Sequence, residues 1–312
     1  MEGVQDGDDL NDSGHAYHIP VLLKEAVRFL AIKPDGIYVD CTFGGGGHTR
    51  AILEQLGPRG LLFAFDQDAA AQANRPEDRR LVFVPENFRH MARFLRLHEV
   101  VSVDGMLADL GVSSHQLDNG ERGFSHRFES ELDMRMDRRQ SLTAAKVLEG
   151  YSTESLQRIF QRYGEVTNAR TLAARIVDRR IQSPIRTVAD LKAAIHDCVK
   201  GNPARYYSQV FQALRIEVND ELGAFEELLK QSKGLLKPGG RMVVITFHSL
   251  EDRLVKNFFK GLSEVEDVFD WYGHSKPGQW KVLTRKPVGP DDEERRKNPR
   301  SRSARMRAAE KT

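Results

Sequence analysis

Three aspartates, a run of glycines and two histidines carry the chemistry legible in this chain. Asp40 closes the apolar run Ile37-Tyr38-Val39, and Gly44-Gly45-Gly46-Gly47-His48-Thr49 then lead into a helix-like Arg50-Ala51-Ile52-Leu53. Glycines let a backbone turn with φ > 0 and let a ligand approach the main chain without meeting a Cβ. A strand, a glycine turn and a helix N-terminus together suit a nucleotide-like ligand. Asp66 ends a second strand-like run about twenty residues later, where an acid accepts hydrogen bonds from ribose hydroxyls; an N-cap is the other role open to it. Asn87-Phe88 offers a polar group and a ring near an adenine, or core filler. Asp109, in Ala108-Asp109-Leu110-Gly111-Val112-Ser113-Ser114, closes a fourth run and faces the reactive end of such a ligand. His248 and Ser249 follow a fifth run and could face the same cleft, although an ordinary structural hydrogen bond also suits His248.

The glycine turn separates three ligand classes. A phosphate-cradling P-loop requires Gly-Lys-Ser/Thr, whereas Gly47 is followed by His48-Thr49. A dinucleotide fingerprint starting at Gly44 or Gly45 fails at its third glycine, which falls on Thr49 or Arg50. S-adenosylmethionine has no pyrophosphate and needs only close backbone approach plus carboxylates for its ribose and amino groups. Asp66 serves NAD equally well, so a nicotinamide-dependent oxidoreductase stays open on these residues.

The elements that must position these groups follow from periodicity. The runs Ile37–Cys41, Leu61–Phe65, Leu81–Val84, Val103–Leu110 and Met242–Phe247 alternate with helical patterns, which predicts βαβ units and a mainly parallel sheet. Between the fourth and fifth runs the texture changes. Leu156, Ile159, Phe160 and Tyr163 follow helical spacing, as do Ala169, Leu172, Ala173, Ile176 and Val177. Thr187-Val188-Ala189-Asp190 reads as a capping box ahead of Leu191, Ala194, Ile195 and Cys198. Tyr207, Val210, Phe211, Leu214 and Val218 form a further stripe after the break Gly201-Asn202-Pro203. The stripes read as core faces. The expected organisation is a disordered leader (1–17), a first α/β part (18–119), an inserted helical substrate-recognition domain (120–216), a second α/β part (217–290) and a basic tail (291–312).

Composition sets the outer limits. With 312 residues, 40% hydrophobic and 29% charged, the chain suits one large or two modest folded domains. No apolar run nears a membrane span, and the acidic N-terminus lacks the apolar core of a signal peptide. Two cysteines, Cys41 and Cys198, fit a reducing compartment, so a cytoplasmic location is expected. The formal net charge is only +2, but Arg295, Arg296, Lys297, Arg300, Arg302, Arg305 and Arg307 crowd the last residues. A basic end on a near-neutral protein suggests phosphate contact, with a solvated terminal helix or tail as the plain alternative.

The motifs make the reading specific. His18-Ile19-Pro20-Val21-Leu22-Leu23, Asp40-Cys41-Thr42-Phe43-Gly44 through His48, and Asp109 through Ser114 resemble the RsmH (MraW) family of ribosomal RNA small-subunit methyltransferases. Arg122-Gly123-Phe124-Ser125, Leu132-Asp133-Met134-Arg135-Met136-Asp137, Phe211 through Ile216, Thr246 through Arg253, and Asn298 through Ser303 also match. The likeness runs from about His18 to Met306. It implies a class I S-adenosylmethionine-dependent methyltransferase (Rossmann-like) α/β sheet with an inserted all-helical domain. It also implies methyl transfer from S-adenosyl-L-methionine to the N4 amine of the decoding-site cytidine of 16S rRNA, position 1402 in the customary rRNA numbering. By the same resemblance Gly46, Gly47, His48, Asp66, Phe88, Asp109 and Gln116 surround the cofactor. The family's loop usually has arginine or lysine where this chain has Gly45, a departure at the outer edge of the loop.

A cytosine exocyclic amine is a poor nucleophile, because its lone pair is delocalised into the ring. Catalysis must align it with the methyl–sulfonium bond and favour the rehybridised nitrogen. The expected catalytic residues are Asp109, acting on the amine or holding the cofactor's amino group, and His248. Related amino-methyltransferases follow the polar residue with Pro-Pro and an aromatic; Leu110-Gly111-Val112 supplies no such ring here. Asp133, Arg135 and Asp137 alternate with Leu132, Met134 and Met136, as a solvated edge or a lip over the cleft. Arg215 and the basic tail are candidates for rRNA phosphate, and the target base is expected to leave its stack. The expected partner is 16S rRNA, within the small subunit; a homodimer stays open, as does a non-catalytic rRNA-binding assembly factor.

Overall fold

The structure is a computed structural model that describes residues 20–118, 120–262 and 279–312. The expected leader, and His18-Ile19 of the first matching motif, lie outside the described residues.

Seven strands form one sheet in the order β3-β2-β1-β4-β5-β7-β6. They are β1 (Ile37–Asp40), β2 (Leu61–Phe65), β3 (Leu81–Val84), β4 (Val103–Asp109), β5 (Leu236–Thr246), β6 (Trp280–Val282) and β7 (Arg305–Lys311). β1 to β5 pair in parallel, while β7 runs antiparallel to both β5 and β6. The central strands are continuous apolar runs because both faces of the sheet are covered. Leu62, Phe63, Ala64 and Phe65 are all fully buried.

Alternation sorts the residues between the two faces. Tyr38, Leu62, Leu107 and Val243 pack with α1 (Leu23–Leu30) and α2 (Gly47–Gln55). Val39, Phe63, Met106 and Val244 pack with residues of α3 (Met91–Leu97) and of two later helices, described next. α4 (Ser114–Asp118) follows β4, and α5 (Ala144–Gly150), α6 (Thr153–Arg162), α7 (Ala169–Gln182), α8 (Val188–Ile195) and α9 (Pro203–Asn219) come next. α10 (Glu221–Leu235) and α11 (Ser249–Phe259) return to the sheet, and α12 (Asp292–Lys297) precedes β7. Helices α5 to α9 bury a second core of their own around Phe160, Leu172, Ile176, Leu191, Val210 and Leu214. Their ends are set locally: Thr187 and Asp190 form a reciprocal capping box, and Asn202 caps α9 with Pro203 in its first turn. No helix among the described residues is long and apolar enough to cross a membrane.

Two expectations need correction. β5 begins at Leu236, before the run expected from Met242, because Lys237-Pro238-Gly239-Gly240 bulges within the strand; the partner of β4 jumps from Leu236 to Arg241. The expected basic tail is also not a tail. Arg305–Lys311 is inserted between β5 and β6, with Met306, Ala308 and Ala309 fully buried. Arg307 sits inside and forks onto Asp252 of α11, at 2.6 and 3.0 Å. The arginines hid a strand that is buried from Met306 to Ala309, and the basic side chains left outside are those of α12, the turn at 299–303 and Arg305.

Candidate active site

The glycine turn leaves β1 and enters α2 at the carboxyl edge of the sheet. Gly46 caps α2 at φ 75°, in the left-handed region. Gly47 is required by contact, since a Cβ there would fall 2.1 Å from Pro20 Cγ. A Cβ on Gly44 or Gly45 would meet nothing within 4 Å, so that side of the turn borders open space. His48, buried in the first turn of α2, has Nε2 3.2 Å from the Val21 carbonyl. A carbonyl only accepts, so Nε2 carries the hydrogen and a neutral ring keeps its lone pair on Nδ1. Nδ1 lies 3.7 Å from Asp109 Oδ2.

Three carboxylates line this edge, and among the described residues none pairs with a lysine or arginine. Asp40 is wholly buried; it accepts from the Thr42 amide at 3.1 Å and the Thr49 hydroxyl at 2.7 Å, so it ties the turn at both ends. Asp66 accepts from the Gly44 amide at 2.7 Å and the Asp68 amide at 2.8 Å. Its carboxylate therefore braces the glycine turn rather than capping the next helix; Asp68 takes the cap, accepting from the Ala70 amide. Burial outweighs these hydrogen bonds and pushes Asp40 and Asp66 up to about 6. Asp109 is placed by its own amide, which donates to Thr42 Oγ1 at 2.7 Å. Its Oδ1 is buried with no hydrogen-bond partner. Burial, with the charges of Asp40, Glu251 and Glu294 added, holds Asp109 well above the usual carboxylate range.

Asp68 is the main residue that sequence reasoning missed. It accepts from Gln116 Nε2 at 2.8 Å and from the Arg122 guanidinium. Arg122, nearly inaccessible, also donates to the carbonyls of Arg135 at 2.7 Å and Met136 at 3.2 Å. Asn219 closes the other side, accepting from the Met136 amide at 2.7 Å and donating to the Met134 carbonyl at 2.8 Å. The segment 132–137 is thus a tethered lip, neither a strand nor a free edge, with Leu132, Met134 and Met136 buried. Burial opposes ionisation of Asp68, but Gln116 and Arg122 prevail and hold it below the usual range. The Asp-x-Asp spacing of Asp66 and Asp68 was the available signal.

The remaining candidates divide. Gln116 joins the Asp68 cluster, its Oε1 accepting from the Ser113 amide at 3.0 Å. Asn87 caps a short 3-10 turn and donates to Gln67 Oε1 at 2.9 Å; Phe88 beside it is half-buried against the sheet core. His248 is the N-cap of α11, with Nε2 3.2 Å from Glu251 Oε1 at an angle that falls short of a hydrogen bond. Burial raises Glu251, yet the His248 ring, the Phe247 amide and Arg215 together hold it below its ordinary value. Arg215 is not turned toward a partner's phosphate: it forks onto Glu221 at 2.8 and 3.0 Å inside the protein. Glu221, His248 and Glu251 bring ligand atoms within 4.8 Å of one another, as a metal site would. The Arg215 guanidinium engages both Glu221 oxygens, so that carboxylate already has a cation.

Comparison with known proteins follows this geometry. Residues 15–312 match the model of the MraW methylase family. A Ribosomal RNA small subunit methyltransferase H of Flavobacterium johnsoniae is 52% identical over 298 residues, covering 95% of this chain and 98% of that protein. Its counterpart in Parabacteroides distasonis is 49% identical over 305 residues, covering 97% and 100%. A crystal structure of an rRNA methylase from Streptococcus thermophilus aligns over 94% of this chain and 98% of its own, with a TM-score of 0.43 and 10% identity. With a family match spanning both the aspartate edge and the tethered lip, the chain belongs to the MraW methylase family.

Proposed function

We propose that this protein transfers a methyl group from S-adenosyl-L-methionine to the N4 amine of the decoding-site cytidine of 16S rRNA. The observation that carries the reading is Asp109: a half-buried carboxylate at the sheet's carboxyl edge, beside the glycine turn, with one buried oxygen left unbonded. The names of relatives about half identical to this chain support the small-subunit rRNA as target.

The residues fit the cofactor. Open space beside Gly44 and Gly45 admits its backbone-hugging part, and the Gly46-Gly47 turn leads it to His48. Asp66 would accept its ribose hydroxyls, Phe88 would cover its adenine, and Gln116 would close the far side. Bound there, S-adenosyl-L-methionine supplies an electrophilic methyl on a sulfonium.

The Asp109 carboxylate accepts a hydrogen bond from the N4 amine of a cytidine flipped out of its stack. That contact orients the nitrogen lone pair at the methyl carbon and favours the rehybridised amine. Asp109 would take up the proton that the amine loses on methylation. His48, with its Nε2–H tied to Val21, packs beside Asp109 with Nδ1 3.7 Å from Oδ2. His248, beside Glu251 just after β5, would border the target base.

Calorimetry separates this reading from a nicotinamide enzyme. S-adenosylhomocysteine is expected to bind and NAD not to bind. NAD binding without S-adenosylhomocysteine binding would replace the proposal. Ribosomal binding with no methyl incorporation would favour an assembly factor.

A further inference from the structure

Outside the aspartate edge, the loop leading into the helical core meets the turn that follows α12. Arg127, Pro299, Arg300, Arg302 and Ser303 line a cavity of about 650 Å³ there. Arg300 is committed, forking onto Asp118 at 2.9 and 2.5 Å. Arg127 and Arg302 are exposed, and among the described residues their guanidinium groups have no ion pair or hydrogen bond. Two cations lining one concavity, each left to solvent, gain nothing for folding there. The nearby acids are occupied: Asp118 by Arg300, and Glu129 by Lys192 at 3.9 Å. Next to Arg127, Phe128 stands over Gly120 with 41% of its surface exposed.

We propose that this cavity is a docking site for single-stranded RNA, with Arg127 and Arg302 each on a backbone phosphate and Phe128 stacked on an unpaired base. The pairing of guanidinium groups with an exposed ring is the chemistry that holds single strands without reading sequence. Duplex RNA offers no free base face to the ring. The Arg300–Asp118 fork gives the site its direction, because Asp118 lies two residues beyond Gln116 on α4. RNA held here is therefore led to the end of the helix that closes the cofactor cluster. The inference rests on the rRNA reading above and supplies the contacts that reading lacked once Arg215 and Arg307 proved internal.

The test uses the full chain and a short fluorescent single-stranded oligoribonucleotide, titrated across a range of salt. The double variant R127A/R302A is expected to bind at least tenfold more weakly at low salt. Its slope of log affinity against log salt should be shallower by about 1.4, two phosphates at about 0.7 each for a single strand. F128A should weaken binding several-fold with the slope unchanged, and a duplex of the same length should be insensitive to F128A. Both variants should keep wild-type affinity for S-adenosylhomocysteine, which shows that they fold. Wild-type RNA affinity and slope in R127A/R302A would overturn the proposal while leaving the methyl-transfer reading intact. The expected losses in a protein that labels no 16S rRNA would support the docking site and overturn that reading instead.

Discussion

Aspartates on the two sides of the cleft face opposite electrostatic conditions. At the sheet edge Asp40 is buried and Asp66 and Asp109 are half-buried, without a lysine or arginine partner among the described residues, and all three are pushed up. Along the lip Asp68, Asp133 and Asp137 each hold an arginine (Arg122, Arg135 and Arg139), and all three are pulled down. Paired acids stay ionised and act as fasteners. Unpaired acids in a dry edge keep their charge only at a cost, so a ligand's hydroxyls or amine can relieve them. One residue type thus builds the frame on one side and, in the proposed function, does the binding and proton chemistry on the other.

The sharpest way to break this division is Asp109→Asn. Methyl transfer is expected to fall by about 10² to 10⁴, the range for losing a positioned proton acceptor. Single-turnover assays read this, and the variant should remain folded because no cation is stranded. Asp68→Asn should do the reverse. It leaves the buried Arg122 charge without its partner, which costs about 3–5 kcal/mol of stability in urea titrations, and slackens the lip. A mild Asp68 variant with a severe Asp109 unfolding defect would invert the assignment.

Asp66 comes next. Asp66→Ala should weaken S-adenosylhomocysteine binding by about 10- to 100-fold, the worth of hydrogen bonds to a charged acceptor. The wild-type protein offers a milder version of the same test. With Asp66 at about 6, protonation below that pH would remove the acceptor proposed for the ribose, so affinity at pH 5 should be about tenfold below that at pH 7. Asp66→Ala should flatten this profile. Stability moves the other way: between about pH 4 and 6 the folded chain holds protons on Asp40 and Asp66 that the unfolded chain has released. Their contribution therefore falls as pH rises through that window. The arginine-paired lip acids contribute stability that is lost as pH falls below the ordinary carboxylate range. The smallest effect belongs to Arg139→Ala at the exposed end of the lip, where the pairs to Asp137 and Glu86 should be worth less than about 1 kcal/mol.

What could be read from the chain beforehand follows the same split. The strands β1 to β4 and the helices α6 to α9 announced themselves because a two-sided sheet and amphipathic helices leave unmistakable periodicities. Asp40, Asp66 and Asp109 were visible because each closes an apolar run. The lip's fasteners were hidden: Arg122 and Asn219 meet segment 132–137 only through tertiary folding, and hydrogen bonds to backbone carbonyls leave no sequence pattern. β7 was misread since arginines at 305 and 307 outweigh the small buried Met306, Ala308 and Ala309 in any local pattern. Arg215 was misread for the same reason, its partner Glu221 lying beyond the helix end.

The most direct measurement is to incubate small ribosomal subunits with the protein and radiolabelled S-adenosylmethionine, then locate and identify the labelled nucleotide. Label is expected on the N4 amine of the decoding-site cytidine alone, and to vanish with Asp109→Asn. Label on a ring carbon, on a ribose hydroxyl or at another nucleotide would contradict the role given to Asp109.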